Sequence, residues 1–310
     1  MTCLQVIQTL GLAQLQDGGR FGVRHLGVTQ GGALDWVAMR WANWLLGNAP
    51  NACVLEIPYG NLTLRCDADT RLAISGGDLS ATLDGQPLEN WTGFDVRAGQ
   101  RLAFGPPVQG VRAYLAVPGG FKVEPVLGSC STVTREGLGG LDGQGSTLKV
   151  GDRLMGDIIR PGQNVTNRAI PVEQHPLLSD LIVLDVVLGA QYAGFSGLSL
   201  FAAFNQPWRI DARGDRMGVR LTGPELRYKG AGLVSEGIPL GAIQVPPDGQ
   251  PIILLNDRQT IGGYPRLGAL EPLSVARLAQ CPPGRNVWLQ PVTLDTALRN
   301  LKAVLRATDR

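Results

Sequence analysis

The sequence predicts a mainly β protein, built from two β-rich domains with a few short helices. Glycine and proline are frequent, with 42 and 21 residues in a chain of 310, and such a composition favours tight turns. Short apolar runs lie between these turn signals, at the spacing typical of β-sandwiches and barrels. Because 310 residues exceed the size at which a single core keeps growing, we expect two domains.

The N-terminal domain is predicted to span residues 1–157 and to hold one helix. Its predicted strands, each next to a Gly or Asp turn, cover residues 3–7, 62–65, 71–75, 81–83, 101–104 and 111–117. The helix is predicted over 34–47, because apolar side chains recur there at helical spacing, namely Leu34, Val37, Ala38, Trp41 and Leu45. Asp35 favours the helix start electrostatically, and Gly47-Asn48 supplies the stop.

The C-terminal domain is predicted over residues 179–310, after a linker at 158–178 that shows no hydrophobic period. Its predicted strands are 181–188, 208–211 and a hairpin at 242–255 that turns at Asp248-Gly249. Two helices are predicted, one from Pro272 to Gln280 and one from Leu294 to Leu305 with Thr293 as its N-cap.

A run of polar residues follows that hairpin and is the strongest candidate for a binding site. Asn256, Asp257, Arg258, Gln259 and Thr260 are predicted to leave the strand end together, ahead of the loop 262–266. A loop that is held by a rigid strand and rich in hydrogen-bonding groups commonly presents binding residues. A polar shoulder on the hairpin, without a ligand, is the alternative.

Three further candidates lie outside this run. Ser131 and Thr132 are predicted hydroxyl donors, because glycines at 137, 139 and 140 would let backbone amides approach an anion; ordinary turn geometry explains those glycines equally well. Cys130 is interpreted as a small buried cysteine rather than a nucleophile. Arg216 lies in a turn whose guanidinium groups could clamp a carboxylate or phosphoryl group, although a solvated Arg-Asp turn would have the same sequence.

Composition excludes several classes of function. The net charge is +2 without a block of like charges, which excludes a nucleic-acid binder or a polybasic membrane binder. Five scattered cysteines indicate neither a disulfide framework nor a metal site, and no signal peptide or apolar span is visible, so a cytoplasmic location is expected. The chain lacks a phosphate-binding loop and a lysine between methionines, so ATP or biotin chemistry would need another nucleotide-binding fold or another chain.

Taken in order along nearly the whole chain, a set of segments resembles one family, the biotin-dependent carboxyltransferase-like proteins that include allophanate hydrolase subunit 2, the Kip antagonist and the C subunit of 5-oxoprolinase. The segments that carry the resemblance are 16–20, 32–35, 42–43, 47–48, 55–57, 114–117, 119–120, 128–132, 137–141, 215–218, 244–246 and 249–266.

The resemblance implies a cyclophilin-like β-barrel in the C-terminal half and a role as one subunit of a complex. Within the family we expect the 5-oxoprolinase branch, because this chain shows no biotin carboxylase or carrier segment. It implies an ATP-dependent amidohydrolase that converts 5-oxoproline to glutamate and is active only with a subunit 1-like (Kip inhibitor-like) partner and a further subunit. ATP, with Mg²⁺, would be bound in the complex, and no biotin would be attached to this chain.

Residue type and placement then suggest roles within the polar run. Four residues would orient an amide or ring carbonyl, namely Gln244, Asn256, Gln259 and Thr260. Asp257 is the candidate base, Arg216 and Arg266 would hold a carboxylate or phosphoryl group, and Tyr264 would form a pocket wall. Two other functions stay open: a carboxyltransferase acting on urea or a similar amide with biotin on a separate carrier, and a regulatory protein that binds a Kip-type kinase inhibitor.

Overall fold

The computed structural model describes residues 1–157, 168, 170, 181–230 and 233–309. The chain divides into two compact units. Unit 1 consists of Met1–Phe21, Gly31–Leu177 and Ala307–Arg310, and unit 2 of Gly22–Gln30 and Leu178–Arg306. Most of the linker predicted at 158–178 lies outside the described residues.

Unit 1 contains two antiparallel sheets. The first has, in spatial order, β11 (Arg153–Gly156), β1 (Thr2–Gln8), β4 (Leu62–Cys66), β9 (Arg101–Phe104), β6 (Thr82–Leu83) and β7 (Gln86–Pro87). The second has β2 (Gln14–Gln16), β3 (Val54–Pro58), β10 (Gln109–Ala116), β5 (Thr70–Asp78) and β8 (Thr92–Val96).

The inner faces of these sheets share one hydrophobic core. In β4 the buried positions alternate, with Leu62, Leu64 and Cys66 inside and the residues between them partly exposed. Leu55, Ile57 and Leu115 of the second sheet belong to the same apolar cluster. The period of two seen in the sequence therefore reports which side chains face the core.

Helix α1 (Trp36–Leu45) covers the second sheet of unit 1, packing on β5 and β10. Asp35 is its N-cap, and its side chain accepts a hydrogen bond from the Ala38 amide at 2.9 Å. The cap satisfies an amide that the first helical turn leaves without a partner. The helix predicted over 34–47 is thus confirmed, with slightly narrower ends.

Unit 2 is a closed seven-stranded barrel. Around the barrel the strands are β12 (Ile182–Leu188), β19 (Arg266–Leu270), β16 (Ala242–Gln244), β17 (Ile252–Leu254), β14 (Gly218–Thr222), β13 (Trp208–Ile210) and β20 (Asn286–Val292). The barrel closes where β12 pairs in parallel with β20. Closure leaves no free sheet edge, and it confirms the barrel expected for the C-terminal half and the mainly β fold.

A hairpin and a small ribbon shape one region of unit 2. Strands β16 and β17 form the predicted antiparallel hairpin. At its turn Gly249 has φ of 73°, a conformation that favours glycine, and its amide donates to the Pro246 carbonyl at 2.9 Å. Beside the barrel, β15 (Glu236–Gly237) and β18 (Ile261–Gly262) pair as a two-stranded ribbon.

Three helices accompany the barrel strands. Helix α3 (Pro272–Ala279) and helix α4 (Leu294–Thr308) confirm the two predicted helices, and the Thr293 hydroxyl accepts from the Thr296 amide at 3.2 Å. Helix α2 (Gly197–Asn205) was not predicted, because it buries only two of its residues and so lacks a clear apolar stripe. Of the helices within the described ranges, none has the length and apolar character to cross a membrane.

Candidate functional site

The polar run after the hairpin lies in unit 2, and two backbone hydrogen bonds follow the end of β17. The Leu255 amide donates to the Met217 carbonyl at 2.8 Å, and the Asp257 amide donates to the Arg216 carbonyl at 2.9 Å. Asn256, Asp257 and Arg258 are buried as a result. The run leaves the strand end as predicted: β17 ends at Leu254, and the Arg258 amide donates to the Leu255 carbonyl at 3.2 Å, which closes a turn over residues 255–258.

Two residues with different predicted roles, Arg216 and Asp257, form an ion pair with each other. Arg216 donates from Nε to Asp257 Oδ2 at 3.0 Å and from Nη2 to Oδ1 at 3.2 Å. Their side chains are only 16% and 7% exposed. A guanidinium that already forms two hydrogen bonds with a carboxylate has its charge neutralised within the chain.

The side-chain nitrogen of Gln244 has no hydrogen-bond acceptor among the described residues. Gln244 ends β16, lies opposite Arg266 of β19, and is 2% exposed. Its Nε2 atom is buried, and no acceptor in the described part of the chain lies within hydrogen-bond distance. A Cβ on Gly262 would lie 2.8 Å from this nitrogen, so the glycine makes room for the amide. A ligand oxygen that accepts a hydrogen bond from such a buried donor lowers the free energy of the site.

Arg266 is held by the ribbon. Its amide donates to Gln191 Oε1 at 2.8 Å, its Nη1 donates to the Gly237 carbonyl at 2.9 Å, and its Nη2 pairs with the Glu236 carboxylate. The Gln191 amide donates to the same carboxylate at 2.5 Å. The charge of Arg266 is thus neutralised by Glu236.

The remaining predicted residues of unit 2 lie around this network. Gln259 and Thr260 are partly buried in the turn that follows Arg258, and the Thr260 carbonyl accepts from the Ile238 amide at 3.0 Å. Tyr264 is 49% exposed in the loop between β18 and β19. All the predicted site residues that follow position 200 lie in unit 2. Contacts join Arg216 to Asp257, and strand pairing places Gln244 opposite Arg266.

Ser131 and Thr132 belong to unit 1 and use their hydroxyl protons there. The Ser131 hydroxyl donates to Asp17 Oδ1 at 2.5 Å, and the Thr132 hydroxyl donates to the Leu15 carbonyl at 3.0 Å. Both residues are fully buried. Since a hydroxyl has a single proton to donate, neither side chain has a donor left for a substrate oxygen.

Two arginines form the most unusual feature of unit 2: Arg24, which the sequence analysis did not select, and Arg258, which it placed in the polar run without a role of its own. Arg24 donates from Nη2 to the carbonyls of Ile238 at 2.7 Å and Thr260 at 3.0 Å. Arg258, which is 3% exposed, donates from Nε to the same Ile238 carbonyl at 3.1 Å and from Nη1 to Leu255 at 3.2 Å. The contact between Arg24 and Ile238 spans 214 positions, so no local sequence signal could reveal it.

The surroundings of this arginine pair disfavour positive charge. Burial lowers the pKa of Arg24, and burial together with the charge of Arg24 lowers the pKa of Arg258 to about 9, against a smaller opposing effect of Asp257. Neither guanidinium forms an ion pair with any carboxylate of the described ranges, and Asp257 is already paired with Arg216. Two cations therefore share one carbonyl acceptor without a carboxylate of their own.

Comparison with known proteins gives full-length matches to two bacterial proteins. The chain is 40% identical over 299 residues to the C subunit of 5-oxoprolinase from Escherichia coli K12, covering 96% of this chain and 93% of that protein. It is 34% identical over 297 residues to the C subunit of 5-oxoprolinase from Haemophilus influenzae, with the same coverage of 96% and 93%.

A solved structure and a domain family complete the comparison. The crystal structure of the K. lactis urea amidolyase superposes with a TM-score of 0.91 at 26% identity, over 99% of this chain. This chain spans only 20% of that much longer one. Residues 26–291 match the family described as carboxyltransferase domain, subdomain A and B. The chain belongs to this carboxyltransferase domain family.

Proposed function

We propose that this protein is the C subunit of an ATP-dependent 5-oxoprolinase, a hydrolase that opens 5-oxoproline to glutamate. The observation that carries the proposal is the 40% identity to the corresponding E. coli 5-oxoprolinase protein across 93% of its length. A match of this extent relates whole subunits, whereas the chain corresponds to 20% of the K. lactis urea amidolyase.

The geometry of unit 2 suits the chemistry of ring opening. Hydrolysis adds water across the C–N bond of the lactam, and negative charge develops on the carbonyl oxygen during the attack. A fixed, desolvated donor stabilises such charge because it needs no reorganisation. We assign this role to Gln244, whose Nε2 is buried without an acceptor in the described structure, and we place Asn256, Gln259 and Thr260 around the same lactam.

Asp257 is the candidate base of this site, and Arg216 holds its carboxylate in place. Each carboxylate oxygen of Asp257 accepts a hydrogen bond from Arg216. Tyr264, which is about half exposed, would form the outer wall. Arg266 would act by holding the ribbon through Glu236, because that pairing occupies its charge.

ATP and Mg²⁺ belong to the proposed reaction and would be bound in the complex, and the described residues offer no cluster that would hold the metal by itself. No group of three or more His, Cys, Asp or Glu side chains in the described ranges is placed to hold a metal ion. Mg²⁺ bound with nucleotide prefers carboxylate oxygens and phosphates. We assign to this chain the binding of the amide substrate.

The proposal includes partners, a subunit 1-like protein and a further subunit, in a cytoplasmic complex without biotin on this chain. An exposed apolar surface on unit 2 supports a protein partner. Helix α2 presents Leu198 and Phe201 at 85% and 63% exposure, three residues apart and hence on the same side of the helix. Exposed apolar groups that are clustered commonly mark interaction sites.

The test is 5-oxoproline-dependent ATP hydrolysis by this chain co-purified with the subunit 1-like protein and the further subunit. We expect glutamate formation by the complex, and a loss of about 100-fold or more in kcat when Gln244→Ala removes a donor to the developing oxyanion. Asp257→Asn should lower the rate as well. Turnover by a complex that omits this chain would refute the proposal.

A carboxyltransferase acting on urea is the second candidate, and the TM-score of 0.91 to the urea amidolyase favours it. The same preparation is therefore assayed with urea, ATP and bicarbonate together with a biotin carboxylase and a biotin carrier. Carboxylation of urea without hydrolysis of 5-oxoproline would replace the first proposal by this one. Tight binding to the subunit 1-like protein without turnover of either amide would instead favour a regulatory role.

A further inference from the structure

Arg24 and Arg258 lie side by side in unit 2, and within the described ranges their hydrogen bonds go to neutral acceptors. Both donate to the Ile238 carbonyl, at 2.7 and 3.1 Å. The other acceptors are the carbonyls of Thr260 and Leu255 and the Gln30 side chain, whose Oε1 lies 3.4 Å from Arg258 Nη2. Arg24 Nη1 is buried and has no acceptor in the described structure.

The close approach of two arginines to one carbonyl is electrostatically unfavourable. A buried charge is normally paired with an opposite charge, because water no longer solvates it. Here two like charges are adjacent, and each raises the free energy of the other. Burial lowers the pKa of both groups, and for Arg258 the charge of Arg24 adds to this effect, which the nearby Asp257 carboxylate only partly offsets.

The sequence suggested two other arginines, Arg216 and Arg266, as binding an anion, but each of them pairs with a carboxylate of the protein. Arg216 pairs with Asp257, and Arg266 pairs with Glu236. A ligand could reach those guanidinium groups only in competition with a carboxylate of the protein. The Arg24 and Arg258 pair has no such competitor in the described chain.

We propose that Arg24 and Arg258 form a binding site for an oxyanion, and that this oxyanion is the carboxylate of the amide substrate. The planar fork of a guanidinium matches a carboxylate or a phosphoryl group in two hydrogen bonds. Arg24 Nη1 is the donor that remains for the ligand. The choice of a carboxylate rests on the proposed function, whereas the oxyanion site itself rests on the geometry of the pair.

The site also belongs to the same part of unit 2 as the buried amide of Gln244. The Ile238 carbonyl accepts from both arginines. The side chain of the same residue lies next to Gly262, because a Cβ on that glycine would be 2.6 Å from Ile238 Cδ1. Gln244 Nε2 borders the same position at 2.8 Å. A small molecule with both a carboxylate and a lactam oxygen could therefore satisfy the two kinds of donor.

The experiment measures binding to the full-length chain by calorimetry, alone and co-purified with its partners. Three probes are compared: 5-oxoproline, 2-pyrrolidinone, which is the same lactam without the carboxylate, and inorganic phosphate. The variant is Arg24→Gln, because Arg24 is only partly buried and its loss should leave the barrel folded. The matched control is Arg227→Gln in the same unit, an exposed arginine paired with Glu225.

We expect the wild-type chain to bind 5-oxoproline, and Arg24→Gln to weaken this binding about 10-fold or more, the effect of losing a hydrogen bond to a charged group. The affinity of Arg24→Gln for 2-pyrrolidinone should equal that of the wild type. The Arg227→Gln control should bind 5-oxoproline as tightly as the wild type. Arg24→Lys should recover part of the affinity, because lysine keeps the charge but not the fork. A merely structural Arg24 would lower the unfolding temperature and leave all three affinities in their wild-type ratio.

The outcomes separate this proposal from the proposed function. Equal affinity of wild type and Arg24→Gln for 5-oxoproline would overturn the arginine site and leave the 5-oxoprolinase assignment intact. Binding of phosphate but not of 5-oxoproline, with the same dependence on Arg24, would support the oxyanion site and count against the substrate. Absence of binding for both anions, alone and in the complex, would overturn the site.

Discussion

The guanidinium of Arg216 donates two hydrogen bonds to the carboxylate of Asp257, at 3.0 and 3.2 Å, and both side chains are largely buried. The two residues are also joined through the backbone, where the Asp257 amide donates to the Arg216 carbonyl. This double link joins the turn that follows β17 to the segment that precedes β14. It makes the pair part of the barrel as well as part of the site.

Removing one partner of this pair should destabilise unit 2. Arg216→Met leaves the Asp257 carboxylate buried without its cation, and we expect a loss of about 3 to 5 kcal/mol in the free energy of unfolding. The double variant Arg216→Met with Asp257→Leu should recover most of that loss, because it leaves no lone charge. Urea denaturation followed by circular dichroism measures both. The control Arg227→Met removes an exposed pair and should leave the urea midpoint unchanged.

The room that Gly262 provides for Gln244 leads to a second prediction. Gly262→Ala would place a methyl group 2.8 Å from Gln244 Nε2 and 2.6 Å from Ile238 Cδ1. We expect the amide to move and kcat/KM of the assembled enzyme to fall about 10- to 100-fold, since small displacements of positioned groups cost that much. Gly237→Ala is the matched control on the partner strand of the ribbon, where a Cβ meets nothing within 4 Å. Equal activity of the two variants would contradict the role of Gln244.

Glu271, which precedes α3, should make the stability depend on pH. It is 1% exposed, and burial raises the pKa of its carboxyl above the ordinary 4.5. The folded state therefore holds a proton that the unfolded state releases, so the contribution of Glu271 to stability is fully present below about pH 4.5 and is lost as pH rises through the folded pKa. Glu271→Gln removes this loss.

The measurement is the difference in unfolding free energy between Glu271→Gln and wild type, determined by urea titration across the acid to neutral range. The difference should grow in favour of the glutamine variant as pH rises, and then level off. A difference that stays constant with pH would show that Glu271 is solvated in the folded protein.

Cys130 should be chemically inert in the native protein. A hydrogen bond with Cys53, together with burial, raises the pKa of the Cys130 thiol well above its usual range, whereas a reactive cysteine needs a lowered one. Iodoacetamide should label none of the five buried cysteines in the folded chain and all of them in urea. Cys130→Ala should keep wild-type turnover in the complex; rapid native labelling of Cys130 or loss of turnover would restore the nucleophile interpretation.

Local patterns in the sequence were sufficient for most elements of the fold. The capped helix at Asp35, the turn at Gly249 and the helix that starts at Pro272 each depend on groups within a few residues of one another. Such signals act through backbone conformation and hydrogen bonds between neighbours, and they are visible without tertiary structure. Helix α2 was not predicted, because only Ser199 and Ala203 are buried in it and its sequence shows no apolar stripe at helical spacing.

The sequence by itself determined the mainly β character, the barrel-forming hairpin, the family resemblance and the neighbourhood of the polar run. Only the tertiary structure decided which charges are balanced. Arg216 and Asp257 are separated by 41 positions, and Arg24 and Thr260 by 236. An arginine has the same side chain whether a carboxylate neutralises it or not, so its availability to a ligand is set by the strands that barrel closure brings beside it.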